Sequence, residues 1–238
     1  MSAARSAPIA RLVPTVTAAL AALVLVTAPA SAQQTVNFTF GGFVPRGYDA
    51  RVHDDVLVAN RDFLHFEISD FHSVAVGGEW LLPLGRFLEA GVGVSYTSDT
   101  VPSVYTDFVD SDGTEINQKT QMRRIPVDFT ARVLPFGHSS PIQPYVGGGL
   151  TAIRWHYSEF GEFIDFDNGR QVFDGEFTAD GTRAGFVGLG GVRFVAKRYT
   201  AGFEFRYYRA DAPLDDRFAG SRLDLGGWTY QATGGFRF

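Results

Sequence analysis

From Thr35 onward the chain alternates apolar and polar positions with a period of two, the pattern of strands that keep one face in an apolar medium. The first predicted strand, Thr35 to Val44, sets Val36, Phe38, Phe40, Gly42 and Val44 against Asn37, Thr39 and Gly41. Ser73 to Pro83 alternates Val74, Val76, Gly78, Trp80 and Leu82 with Ala75, Gly77 and Glu79, and Phe87 to Ser98 sets Leu88, Ala90, Val92, Val94 and Tyr96 against Glu89, Gly91, Gly93 and Ser95. A fourth run, Lys119 to Phe136, places Ile125, Val127, Phe129, Ala131 and Val133 opposite Arg124, Asp128, Thr130 and Arg132. Gln143 to Tyr157 is a fifth strand whose register Gly147-Gly-Gly149 leaves open. Arg183 to Val195 sets Phe186, Gly188, Gly190, Val192 and Phe194 against the row of Arg193. Tyr199 to Arg209 carries Tyr199, Ala201, Phe203, Phe205 and Tyr207 on one side and Thr200, Gly202, Glu204, Arg206 and Tyr208 on the other. Trp228 to Phe238 is the eighth run, with Trp228, Tyr230, Ala232, Gly234, Phe236 and Phe238 facing away from Thr229, Gln231, Thr233, Gly235 and Arg237.

The connections alternate in length. Leu84 to Arg86, Gly137 to Ile142 and Ala196 to Arg198 are short enough for hairpin turns, whereas Pro45 to His72, Asp99 to Gln118, Ser158 to Thr182 and Ala210 to Leu223 are long. Short turns at one end and long loops at the other, over an even number of strands, predict an antiparallel up-and-down barrel.

Residues 1 to 32 do not share the pattern. Arg5 and Arg11 precede an apolar run from Leu12 to Val26, and Pro29-Ala30-Ser31-Ala32 offers a small-x-small cleavage site, so this segment is read as a secretory signal peptide and 33 to 238 as one barrel domain. Of 21 Lys plus Arg, 19 lie beyond residue 32, against 26 acids, a balance of about −7 that makes a poor nucleic-acid binder. With no Cys, disulfides and thiolate metal sites are excluded. No later stretch of 18 apolar residues follows, which excludes a membrane protein built of helices.

The last strand, ending on an aromatic row at Phe238, resembles the terminal strand of small eight-stranded bacterial outer-membrane β-barrels of the OmpA, OmpX or OmpW-like kind. The resemblance implies an all-β, eight-stranded antiparallel up-and-down transmembrane β-barrel in the bacterial outer membrane, with termini periplasmic and long loops extracellular. It further implies that Tyr230, Phe236 and Phe238 belong to a signal read by the barrel assembly machinery, and that outer-membrane lipid and lipopolysaccharide surround the barrel. A soluble lipocalin-like barrel has the same strand count but turns its apolar rows inward. Tyr96, Trp80, Tyr199, Tyr207, Trp228, Tyr230 and Phe238 cluster towards strand ends, as interfacial girdles do, and favour the membrane reading.

If the apolar rows face lipid, Glu79, Glu89, Asp128 and Glu204 share the lumen with Arg124, Arg132, Arg193, Arg206 and Arg237. Eight strands leave room only for side chains, so a plug of salt bridges is expected. A narrow conduit for a small-molecule solute is the alternative, favoured only by inward Gly77, Gly91, Gly93 and Gly202, which could leave gaps beside the arginines.

The four long loops hold 21 of the 26 carboxylates, and the second and third have only Arg170 between them. Such a field repels lipid phosphates unless divalent cations bridge them. Asp110-Ser-Asp112-Gly and Asp165-Phe-Asp167-Asn-Gly169 resemble pieces of calcium loops without the full spacing, and His53, His65 and His72 match no metal motif. His156-Tyr-Ser158-Glu159 resembles the His-x-Ser of lipid A deacylases, but the residues that follow that serine in the family are not recognisable. In the first loop Leu64, Phe66 and Ile68 alternate with His65 and Glu67, read most simply as a strand extension and otherwise as a hairpin or helix over the mouth. The expected protein is a non-catalytic envelope barrel without cofactor or metal. A passive OmpW-like channel is the second reading and a lipid A-modifying enzyme the third.

Overall fold

A computed structural model describes residues 33–166 and 169–238; the predicted signal peptide lies outside the described residues. Eight strands carry the fold: β1 (Thr35–Pro45), β2 (Ser73–Pro83), β3 (Leu88–Val109), β4 (Glu115–Val133), β5 (Ile142–Asp165), β6 (Gln171–Ala196), β7 (Tyr199–Arg209) and β8 (Gly227–Arg237). Each pairs antiparallel with the next, and β8 pairs with β1, so the sheet closes into a ring. This is an up-and-down barrel of eight strands, and closure satisfies both sides of every strand at that level.

The direction of the rows follows from burial. Phe129 is 50% exposed while its neighbours Asp128 and Thr130 are buried, and the same inversion runs round the ring. Phe38, Val94, Leu150, Phe186, Phe203 and Phe205 point out, while Thr39, Thr151, Glu204 and Arg206 point in. A lipocalin-like barrel would turn these rows the other way. Register brings like to like, with Val92 opposite Phe129 and Phe203 opposite Ala232, so the outer face is a continuous apolar band that water would not stabilise but lipid would. Aromatic side chains bound the band. At one edge the Tyr207 and Trp228 rings lie 4.8 Å apart, and at the other Tyr199 and Phe236 lie 5.5 Å apart.

Two predicted loops are strands instead. Residues 99–109 and 115–118 continue the β3–β4 ladder and residues 158–165 and 171–182 the β5–β6 ladder, so that β6 has 26 residues where about 9–11 suffice to cross a bilayer. Beyond the band these strands stand in water, where polar side chains on the outer face cost nothing, and the alternation of apolar with polar that marks a lipid-facing strand is lost. The register left open at Gly147-Gly-Gly149 is settled by contact. A Cβ on Gly147 or Gly149 would lie 2.3 or 1.9 Å from a carbonyl oxygen of β4, so the two glycines allow close approach of the backbones.

The first and fourth long loops fold over the mouth. A five-residue helix, α1 (Val56–Asn60), is capped by Asp55, whose carboxylate accepts from the Leu57 and Val58 amides at 3.0 and 3.3 Å. Leu64–His65 pairs with β3, and Asp211–Pro213 with Arg222–Asp224 forms a short hairpin. Val56, Leu57, Leu64 and Phe71 pack on Phe43, Tyr157, Tyr208, Phe218 and Leu223 in an apolar core above the membrane band. The expected simple strand extension of the first loop therefore does not hold. Leu64, Phe66 and Ile68 are buried and His65 and Glu67 exposed, but the alternation serves a cap. Two of its charges are buried against each other: Arg51 donates to both oxygens of Asp55 at 2.6 and 3.0 Å, and to the Asp224 carbonyl at 3.1 Å, tying the two loops together.

Candidate functional site

Period two places a polar side chain at every second residue inside the ring, and closure brings these rows face to face. Eight of the nine lumen charges meet within one connected array. At the end of the barrel carrying the short turns, Arg237 Nη2 and Arg193 Nη2 both donate to Gln143 Oε1, at 3.3 and 2.9 Å. Arg193 Nη2 also donates to Glu89 Oε2 at 2.8 Å. Arg132 lies 3.8 Å from Glu89, pairs closely with Glu79, and reaches Glu204 Oε2 at 3.1 Å. Arg206 is the hub: Nε donates to Glu204 at 2.6 Å, Nη1 to Asp128 at 2.7 Å and Nη2 to Glu79 at 2.6 Å.

Arg124 is the exception. Its guanidinium is buried with no carboxylate partner among the described residues and lies 3.9 Å from the centroid of the Phe43 ring, with Tyr208 at 5.5 Å on the side of the hub. It forms the boundary between the ionic array below and the apolar cap above. Arg237 likewise has no ion pair among the described residues; it bonds to Gln143 and to the His138 carbonyl at the rim.

Desolvating a carboxylate or guanidinium is costly unless it is met by opposite charge and hydrogen bonds, and each of these charges other than Arg124 and Arg237 has an oppositely charged partner. Neutral side chains add to the set: Asn37 donates to Glu79 at 3.0 Å, Gln231 to Glu204 at 2.9 Å and the Tyr208 hydroxyl to Asp128 at 2.8 Å, while Asp128 Oδ1, Arg132 Nε and Glu204 Oε2 have no hydrogen-bond partner among the described residues. These partners were not singled out in the sequence, although Asn37, Gln231 and Tyr208 sit on the same inward rows and the alternation could have found them. The room beside the inward glycines is taken. A Cβ on Gly77 or Gly202 would strike a backbone carbonyl at 2.5 or 2.4 Å, and one on Gly93 would meet the Arg206 guanidinium at 3.4 Å.

A second polar cluster lies in the extramembrane part. Asn60 of α1 donates to Glu159 at 2.6 Å and to the Tyr157 hydroxyl at 3.2 Å, and that hydroxyl donates to Glu159 at 2.5 Å. Among the described residues Glu159 has no cationic partner, and burial raises its pKa above the ordinary value of a glutamate despite the Tyr157 and Asn60 hydrogen bonds. Nothing in the sequence pointed to this latch, because Asn60 lies in a loop and 99 residues from its acceptor.

The other constellations do not assemble as sites among the described residues. His156 and Ser158 share no hydrogen bond. Asp110 and Asp112 accept from Ser111 and Thr114 within their own turn, part of the Asp165 to Gly169 segment lies outside the described residues, and no group of three or more His, Asp or Glu is placed to hold a metal ion. Tyr230, Phe236 and Phe238 are exposed on the outer face.

No protein-family model and no curated protein matches the chain. Among solved structures it is similar to the N-terminal β-barrel domain of Pseudomonas aeruginosa OprF, 13% identical, covering 87% of this chain and 100% of that one with a TM-score of 0.43. It is similar also to neisserial surface protein A, 12% identical over 87% and 97% of the two chains with a TM-score of 0.47. A third is the outer membrane protein W of Escherichia coli, 15% identical over 88% and 100% with a TM-score of 0.38.

Proposed function

We propose that the protein is a non-catalytic integral barrel of the bacterial outer membrane, with its termini in the periplasm and the capped, acidic end outside the cell, acting through its exposed surface rather than through its lumen. The observation that carries this reading is the doubly closed interior: an array of ion pairs fills the membrane level, and an apolar cap from two loops fills the level above. A pore needs a continuous wet path, and ion pairs across the lumen together with apolar side chains over its mouth both oppose one. In the same reading the outward Tyr230, Phe236 and Phe238 are presented to the barrel assembly machinery.

Planar-bilayer recording of the purified protein tests the proposal. No steady single-channel conductance is expected at moderate voltage. Stable ohmic openings in the wild-type protein would instead favour the passive channel for small solutes.

A further inference from the structure

Just above the apolar band the outer face changes character. On β4 the outward row runs Phe129, Val127, Ile125 and then Arg123; on β5 it runs Leu150, Ala152 and then Arg154 and His156. Arg123 and His156 are register partners, as are Ile125 and Arg154, so these side chains are neighbours across one strand pair. Together with Trp155 and Asp180 they line a cleft of about 140 Å³. The Arg123 side chain is exposed and makes no hydrogen bond or ion pair with any described residue. Arg154 is bound only to Asp180, and that pair is more than half exposed, which makes it weak and open to competition.

The placement is selective. The loop segments hold 21 carboxylates against six Lys or Arg, yet two bases and an imidazole gather at the one level where headgroup phosphates of a bilayer lie. We propose that Arg123, Arg154 and His156 form a binding site for the phosphate of an outer-leaflet lipid headgroup, with the acyl chains lying on the Ile125–Phe129 and Ala152–Leu150 rows below. The guanidinium forks supply paired donors to phosphate oxygens. The acids farther out repel the same phosphates and hold them at this level. The inference rests on the outer-membrane reading, and the test separates the two.

The full-length protein is refolded into detergent micelles with bis-phosphorylated lipid A, and the lipid retained after exchange is counted by native mass spectrometry. Retention is expected to fall at least about tenfold in the Arg123→Ala/Arg154→Ala double variant and to return in part with Arg123→Lys/Arg154→Lys. Equal retention by wild type and double variant overturns the site. So does equal retention of dephosphorylated lipid A, which would mean apolar contact alone, or displacement of lipid A by millimolar inorganic phosphate, which would mean a site for the free anion. The heat-dependent gel shift of each sample is read separately. A wild-type protein that shows no shift and does not enter bilayers defeats the outer-membrane reading itself, whereas normal shifts with unchanged lipid retention defeat only the site.

Discussion

Arg206 and Arg124 are both buried guanidiniums in one lumen, and their surroundings predict very different costs of removal. Arg206→Leu leaves Asp128 with the Tyr208 hydroxyl as its one remaining hydrogen bond and takes a partner from Glu204 and Glu79, so a loss of about 3–5 kcal/mol is expected in urea unfolding from lipid vesicles. Arg124→Met strands no carboxylate and keeps an apolar contact with Phe43, so its cost should be much smaller; equal losses would contradict the roles given to the two residues. Glu159 carries a pH prediction. Its pKa is raised by burial, so the folded state holds the proton more tightly, and the latch on Asn60 is fully stable below the ordinary glutamate range and weakens as pH rises through the folded pKa. Corrected for the intrinsic base-catalysed exchange rate, the protection of the α1 amides should accordingly be higher at acid than at neutral pH, and Glu159→Gln should abolish that difference in protection.

At the scale of the strand, one face answers to lipid and the other to its neighbours. Phe129→Arg or Phe203→Arg, near mid-membrane, should cost roughly 2–4 kcal/mol, while Thr182→Arg, on the same outer face of β6 above the band, should cost close to nothing. Comparable losses at both levels would place the band wrongly. Close approach of β4 and β5 makes a second demand. Gly149→Ala puts a methyl 1.9 Å from the Phe129 carbonyl, and since backbone must move to relieve it, the fraction refolding into vesicles should drop sharply. The same hairpins show where strand prediction stops. Through 171–185 β6 keeps its ladder to β5, yet Asp174, Gly175, Glu176, Asp180 and Gly181 read as a loop, because hydrogen bonds to β5 hold the strand and no lipid imposes alternation on it.

The whole molecule is two stacked closures with different physics, ionic within the membrane and apolar outside it. Replacing residues 51–70 by a short Gly-Ser linker removes α1 and its packing on Phe43, Tyr157 and Tyr208, so the mutant should bind a hydrophobic dye far more strongly while its heat-dependent gel shift stays. Loss of the gel shift as well would mean that the cap holds the barrel together, contrary to the independence of the two layers.

Read alone, the sequence determined the number of strands, their order, the alternation of short and long connections and the membership of every row except that of the fifth strand. Every one of these is imposed locally, by a medium that is apolar on one side of each strand. Val127, Asp128 and Phe129 announce their faces without reference to any other part of the chain. The tertiary structure decided which way the rows point, how far the strands continue above the membrane, what the first loop becomes and which charge meets which. Arg206 finds Asp128 across 78 residues and Arg193 finds Glu89 across 104, and those meetings exist only once the ring has closed in one register. Asn60 reaches Glu159 only because the cap has folded down onto the wall. Periodicity is a property of neighbours in the chain, whereas pairing inside a barrel is a property of its closure.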